Sequence, residues 1–310
     1  MKRLYVIAGV LITLLSAFYF LQAIGKHWES LKSFEFETLT LQSMMAAALL
    51  YAATYLISAA TWQRALRYLG ASLRFGHSAA IILVSQFAKY LPGNVGHHVG
   101  RVLMAQRAGL PAQVVVGSLL VDSLMVVLAA LLCSLPCYPL LWALASQRVA
   151  VPASWLMAAA VLLCIAGAAA WLTRAQWLHS GALARLATLL ANPQRLPLLG
   201  QAVALYCISF VLGGLALSLL LTSLAPELLL SGVLAHVIGV YAAAWLLGFL
   251  IPGAPAGLGV REACLLIGLA PFAGADAALL AAALLRITTT VMDAVVFVAG
   301  VLMIKRLPQG

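Results

Sequence analysis

Long apolar runs separated by short polar or Gly- and Pro-rich breaks set the pattern of this chain. Six runs, at about 4–24, 39–60, 111–135, 152–173, 197–222 and 277–305, have the length of a bilayer crossing, which takes about 20 apolar residues. The last is long enough to be predicted tilted or broken. Two other apolar segments behave differently: 78–91 runs into Pro92-Gly93, and 231–251 into Pro252-Gly253. Each is followed at once by a short Gly-rich segment carrying an arginine. Proline removes a backbone donor and glycine admits positive φ, so each Pro-Gly pair breaks a helix. At membrane depth such a break survives only where protein or a water-filled cavity shields the freed backbone. Both segments are predicted to be re-entrant helical hairpins, over about 78–110 and 231–272.

The two hairpins resemble each other. The stretch from Leu91 to Arg101 aligns with that from Ile251 to Arg261, and Pro, Gly and Arg recur at a constant offset of 160 residues. Charge gives their orientation. With the N-terminus inside and six crossings, Lys2, Arg3, Arg64, Arg67, Arg74, Arg107, Arg174, Arg185, Arg195, Lys305 and Arg306 fall on the inner side. Only Lys26, Lys32 and Arg148 fall outside, in the company of Glu29, Glu35, Glu37, Glu227 and Asp276. That bias follows the positive-inside rule, and it places the hairpins on opposite faces, as inverted repeats require. The expected fold is all-α and integral to the membrane, one polytopic domain over residues 1–310 with both termini cytoplasmic. The segment 61–77, with Trp62, Arg64, Arg67, Tyr68 and Arg74, reads as an amphipathic helix at the lipid interface.

Composition agrees. The chain is 65% hydrophobic and 8% charged, where a soluble domain carries about a quarter charged residues. Soluble enzymes and nucleic-acid-binding modules are excluded, and the net charge of +10 is the cytoplasmic-loop excess of a membrane protein. The N-terminal run is longer than a secretory h-region and is expected to be an uncleaved first crossing. Cys133, Cys137, Cys164, Cys207 and Cys264 lie in or beside apolar runs without metal or redox spacing.

The informative residues are charges that cannot reach a loop: Arg101, Asp122, Arg261, Glu262, Arg286 and Asp293. Arg101 shares a helical face with His97 and, nearly, His98. Arg286, Thr289, Thr290 and Asp293 form one polar stripe, and Ser118 with Asp122 another. These charges can form a polar interior between the hairpins, and the alternative for the carboxylates is structural ion pairing, for example Arg101 with Asp122 and Arg286 with Glu262. The arginines point elsewhere, because each follows a broken helix whose new N-terminus attracts an anion. The candidate substrate-binding set is therefore Asn94, His97, His98, Arg101, Asp122, Arg261, Glu262, Arg286 and Asp293. Pro92, Gly93, Gly96, Pro252, Gly253, Gly257 and Gly259 form the hairpin tips, where glycine allows close approach of a phosphate or of a neighbouring helix. Adjacent histidines point apart on a helix, and no carboxylate or thiol completes a set with His97 and His98, so no metal is expected. His236 reads as a helix-packing residue. No nucleotide motif, nucleophile–base pairing or cofactor motif appears.

The stretch Gln86-Phe87-Ala88-Lys89-Tyr90-Leu91-Pro92-Gly93 through Arg101, then Gln106-Arg107-Ala108-Gly109-Leu110, resembles the first motif of the lysylphosphatidylglycerol synthase transmembrane (flippase-like) family. Pro252-Gly253 followed by Gly257-Leu258-Gly259-Val260-Arg261-Glu262-Ala263 resembles its second. The resemblance implies translocation of a polar lipid between the leaflets of the cytoplasmic (inner) membrane. Many members carry Gly-Glu before the first arginine where this chain has Gly96-His97-His98, similar to a subgroup associated with surface-polysaccharide synthesis. The expected substrate is an anionic lipid phosphate: a lipid-linked sugar, a polyprenyl phosphate or a phospholipid. Envelope polysaccharide or lipid synthesis enzymes are the expected partners. A stand-alone member without the aminoacyl-transferase domain is not expected to be an enzyme. The alternatives are a membrane glycosyl- or headgroup transferase acting on a lipid phosphate, and a non-transporting partner of an envelope synthase.

Overall fold

A computed structural model describes residues 18, 21–22, 24–26, 37–90, 96–138, 193–226, 233–251 and 255–306. Those outside short connections are helical, with no strand among them. Helix α1 spans Thr38–Tyr68, α2 Phe75–Gln86, α3 Gly96–Arg107, α4 Ala112–Ser134, α5 Leu196–Leu224, α6 Leu234–Leu250 and α7 Val260–Arg306. Packing groups Met1–Cys137 with Leu198–Gly310 in one compact unit and Tyr138–Pro197 in another. Everything below concerns the first.

Local chemistry stops the helices where the turns are needed. After α1, Gly70 takes a φ of 82°, its N–H donates to Arg67 O, and Ala71 N–H donates to Leu66 O. After α3, Gly109 takes a φ of 85°, and the N–H groups of Gly109 and Leu110 reach Gln106 O and Ala105 O in the same way. Both are Schellman stops, which satisfy orphan carbonyls only where positive φ is tolerated. Pro111 then caps α4, where a missing N–H does no harm.

Among the described residues four helices, α1, α4, α5 and α7, are long and apolar enough to cross a membrane. They take in the crossings expected over 39–60, 111–135, 197–222 and 277–305. Those expected over 4–24 and 152–173 lie largely or wholly outside the described residues. At ~1.5 Å per residue, the 47 residues of α7 would reach about 70 Å, more than twice the hydrocarbon thickness. The helix breaks instead at Gly274 (φ 77°, ψ 159°), three residues after Pro271. Its first part pairs with α6, and its second part is the last expected crossing. One expectation fails. The segment 61–77 is no separate interfacial helix, since α1 continues through Tyr68, and Trp62 and Tyr68 are fully buried. Trp62 is drawn inward because its Nε1–H donates to Ser118 Oγ on α4 at 3.0 Å.

Side-chain pairs fix the direction of each contact. Val84 and Leu83 of α2 lie against Gly300, Phe87 packs against Phe297 with ring centroids 5.1 Å apart, and Tyr90 meets Asp293, so α2 runs antiparallel to the end of α7. Gly239 of α6 sits against Cys137 just beyond α4, while Ala242 and Leu246 join Ala129 and Ala130 in one apolar cluster, so α6 runs antiparallel to α4. Within the second pair, Gly248 faces Arg261, Val240 faces Gly268, and His236 faces Phe272. Within the first, Gly100 of α3 touches Ser85 of α2. A turn of the 3-10 type follows α2 at Phe87–Tyr90 and another precedes α7 at Pro255–Gly257, and these two turns touch.

The outer surface is apolar and the interior holds the charges. Ile287, Val291, Val295, Val298 and Leu302 make an exposed stripe on α7, at helical spacing. Arg101, Asp122, Glu262 and Asp293 are all buried. Such an inverted distribution, with long apolar helices, is that of a multi-pass membrane protein.

Candidate functional site

Among the described residues, three ion pairs and one cation without a carboxylate lie near the turns at Phe87–Tyr90 and Pro255–Gly257. Lys89, in the turn at the end of α2, places Nζ 2.7 Å from Asp293 Oδ2. Asp293 also accepts from the hydroxyls of Tyr51, Tyr55 and Tyr90, and Lys89 donates to Tyr51 and Tyr55 at 3.1 and 3.2 Å. Arg101 Nη1 meets Asp122 Oδ2 at 3.2 Å, and the other carboxylate oxygen accepts from Tyr206 at 2.6 Å. Arg286 Nη1 meets Glu262 Oε1 at 3.5 Å and also donates to Ala256 O. Glu262 does a second job. Its Oε2 accepts the N–H of Gly259 at 2.7 Å, closing the first turn of α7 as a capping-box glutamate does.

Arg261 has no such partner. Among the described residues its guanidinium makes neither a hydrogen bond nor an ion pair, and its Nε is buried without a partner. It lies over the Trp245 ring at 5.7 Å, as Arg101 lies over Trp62 at 5.9 Å. A cation over an indole face is held by the ring quadrupole, which orients the guanidinium without neutralising it. Space for Arg261 comes from two glycines. A Cβ at Gly248 would stand 2.7 Å from Arg261 Cγ, and one at Gly257 (φ 73°) 2.6 Å from its Nε. Gly100 is different, because a Cβ there would meet Ser85 at an ordinary 3.4 Å.

A cavity of about 140 Å³ opens between these elements. Arg101, Arg261, His97, His98, Lys89 and Asp122 line it, with Trp245, Phe249 and Tyr241 on the aromatic side. Ser58, Ser123 and Ser209 add uncharged hydroxyls. The rings of His97 and His98 lie 3.9 Å apart, each with a buried Nδ1 that has no partner. A smaller adjoining cavity shares Arg261 and Trp245 and is bounded by Glu262, Arg286 and Thr289. No group of three or more potential metal ligands occurs among the described residues.

The family model described as the lysylphosphatidylglycerol synthase TM region matches residues 6–296. The chain belongs to that family. No curated protein matches it. The match takes in every residue of the site, so the cavity lies within the family's membrane region.

In this member of the lysylphosphatidylglycerol synthase TM family, the sequence-predicted residues divide three ways. His97, His98, Arg101, Asp122 and Arg261 line the main cavity, and Glu262 and Arg286 the smaller one. Asp293 lines neither and is reached through Lys89. Asn94 and the tip residues Pro92, Gly93, Pro252 and Gly253 lie outside the described residues. Gly96 opens α3, Gly257 makes room for Arg261, and Gly259 donates to Glu262. His236 packs on Phe272 with a ring nitrogen 3.2 Å from Gly268 O. Sequence reasoning missed Lys89, Trp245 and the tyrosines. Tyr51, Thr54, Tyr55 and Ser58 form a polar stripe at helical spacing in α1, the signal that could have found two of them. Lys89 is a seventh deep charge by the criterion that picked out the other six.

Proposed function

We propose that this protein is a flippase-like transporter that moves an anionic polar lipid between membrane leaflets. The observation that carries the proposal is that Arg101 and Arg261, at matching places 160 residues apart, line one cavity. At that offset α1, α2, α3 and α4 correspond to α5, α6 and the first and second parts of α7. The antiparallel contacts of α2 with α7 and of α6 with α4 fit an opposite orientation of corresponding elements. That supports inverted repeats with hairpins entering from opposite faces and a substrate site near the midplane, as in many alternating-access transporters. Guanidinium groups grip phosphate through two parallel hydrogen bonds, which fits a lipid phosphate to this cavity.

The reading includes no chemistry on the lipid. Asp122, Glu262 and Asp293 are each bound to a cation, so none stands ready as a general base. A cytoplasmic-membrane location with both termini inside, and a link to envelope polysaccharide or lipid synthesis, belong to the same proposal.

The test is reconstitution into liposomes carrying fluorescent-tailed phosphatidylglycerol, scored for leaflet exchange and for product formation. Exchange without product, lost in Arg261→Gln, is the expected result. Product formation would favour a transferase. Absence of exchange for every lipid phosphate tried would overturn the transporter reading.

A further inference from the structure

The buried charges of this site count to one. Lys89, Arg101 and Arg286 are matched by Asp293, Asp122 and Glu262, which leaves Arg261 as the one cation of the site without a carboxylate among the described residues. Resting on the lipid-transport reading, we infer that the site takes a lipid with one phosphodiester and an uncharged, hydroxylated headgroup.

Charge balance in a shielded cavity drives the choice. A phosphodiester carries a single negative charge and brings the site to neutrality. A phosphomonoester carries about −1.5 to −2 at neutral pH, and a pyrophosphate lipid also exceeds one charge. Either leaves a net anion among groups that water does not solvate fully. An aminoacylated headgroup fails for the opposite reason. Its ammonium needs a carboxylate, and each of the three here already accepts from a cation and from a hydroxyl or backbone N–H.

What remains free in the wall suits hydroxyls. Ser123 and Ser209 line it with hydroxyls, and Nδ1 of His97, in a residue only 8% exposed, and Nδ1 of His98 are buried without a hydrogen-bond partner. Trp245 and Phe249, stacked at 5.0 Å, present a flat aromatic surface beside Arg261. Two lipids share this chemistry: a glycerophospholipid with a polyol headgroup, and a prenyl phosphosugar.

The experiment is competition binding on the full chain in phosphatidylcholine nanodiscs, with fluorescent-tailed phosphatidylglycerol as the probe. The competitors are unlabelled phosphatidylglycerol, a short-chain prenyl phosphoglucose, prenyl monophosphate, prenyl pyrophosphate and lysylphosphatidylglycerol. One of the first two should displace the probe at about tenfold lower concentration than any of the others, the scale of one screened charge contact. Which of the two is stronger identifies the source. Glu262→Gln and Asp122→Asn each add one unmatched positive charge, and either should move the preference toward the monophosphate and pyrophosphate. A pyrophosphate or lysyl lipid that competes as well as the phosphodiesters in the unaltered protein overturns the inference, as does absence of displaceable probe. So does an unchanged preference in both folded variants. Leaflet exchange, read separately, tests the transport reading, which survives if a dianionic lipid proves to be the one exchanged.

Discussion

Removing the charge of Arg261 should do something that removing its neighbours' charges does not. Arg101→Gln strands Asp122, which is 6% exposed and retains the Tyr206 hydroxyl. Breaking a buried ion pair from one side costs about 3–5 kcal/mol, and this variant belongs at the upper end. Lys89→Met leaves Asp293 with three tyrosine donors, each hydrogen bond to a charged group being worth about 1.5–3 kcal/mol, so its loss should be smaller. Arg286→Gln should cost least of the three, because the pair is 3.5 Å long, the arginine side chain is 21% exposed, and Gly259 still donates to Glu262. Arg261→Gln strands no carboxylate. It gives up the contact with Trp245, worth about 0.5–2 kcal/mol, and relieves an unmatched charge, so the net change should stay within about 1 kcal/mol of zero. Reversible unfolding in mixed micelles, followed as the denaturing detergent fraction rises, gives the four values. The expected order of loss is Arg101, Lys89, Arg286, with Arg261 near zero but inactive in lipid exchange. An Arg261→Gln protein as destabilised as Arg101→Gln would refute the reasoning, since it would mean that Arg261 has a carboxylate partner.

Other outcomes follow from single contacts. Gly248→Ala places a methyl 2.7 Å from Arg261 Cγ and should weaken phosphate-lipid binding about tenfold or more, whereas Gly100→Ala, with its nearest contact at 3.4 Å, should leave binding within about twofold; the nanodisc competition reads both. Tyr206→Phe removes a 2.6 Å hydrogen bond to Asp122 and should lower stability by about 1.5–3 kcal/mol in the same micelle unfolding, with lipid exchange retained per folded molecule. Single cysteines at Ala71 and Pro226, on a cysteine-free background, should label from opposite sides of the membrane with an impermeant maleimide. Labelling of both from one side would rule out inverted repeats.

The sequence made the main architecture readable because membrane physics leaves few options. Once soluble alternatives are excluded by composition, an apolar run of sufficient length can be little but a helix, and Pro-Gly can be little but a break. Thus α1, α4 and α5 fall close to the segments expected for them. The break at Gly274 falls between the hairpin expected to end at about 272 and the crossing expected from about 277, but the residue that makes it was not legible. Pro271 and Gly274 lie in a stretch that is apolar on both sides, and nothing local says which of them ends the helix. Trp62 was misread for a related reason. Beside three arginines its indole looks interfacial, and only the distant Ser118, 56 residues away, shows that it points inward. The site was legible as a set of residue types and not as a set of partners. The pairing of Arg101 with Asp122 and of Arg286 with Glu262 is short-range enough to propose from spacing, but Lys89 with Asp293 depends on how the first hairpin meets the last helix.

That meeting has a consequence for synthesis. Each hairpin leans on the helix that follows the other hairpin, so neither half can finish its interior by itself. Tyr90 and Asp293 are 203 residues apart, and at about 5–20 residues per second the chain needs roughly 10–40 s to deliver the second after the first. During that interval Lys89 lacks its counter-ion, and α2 lacks the Gly300 surface that later receives Leu83 and Val84. The interior of the first half is therefore completed only when the end of α7 has been made.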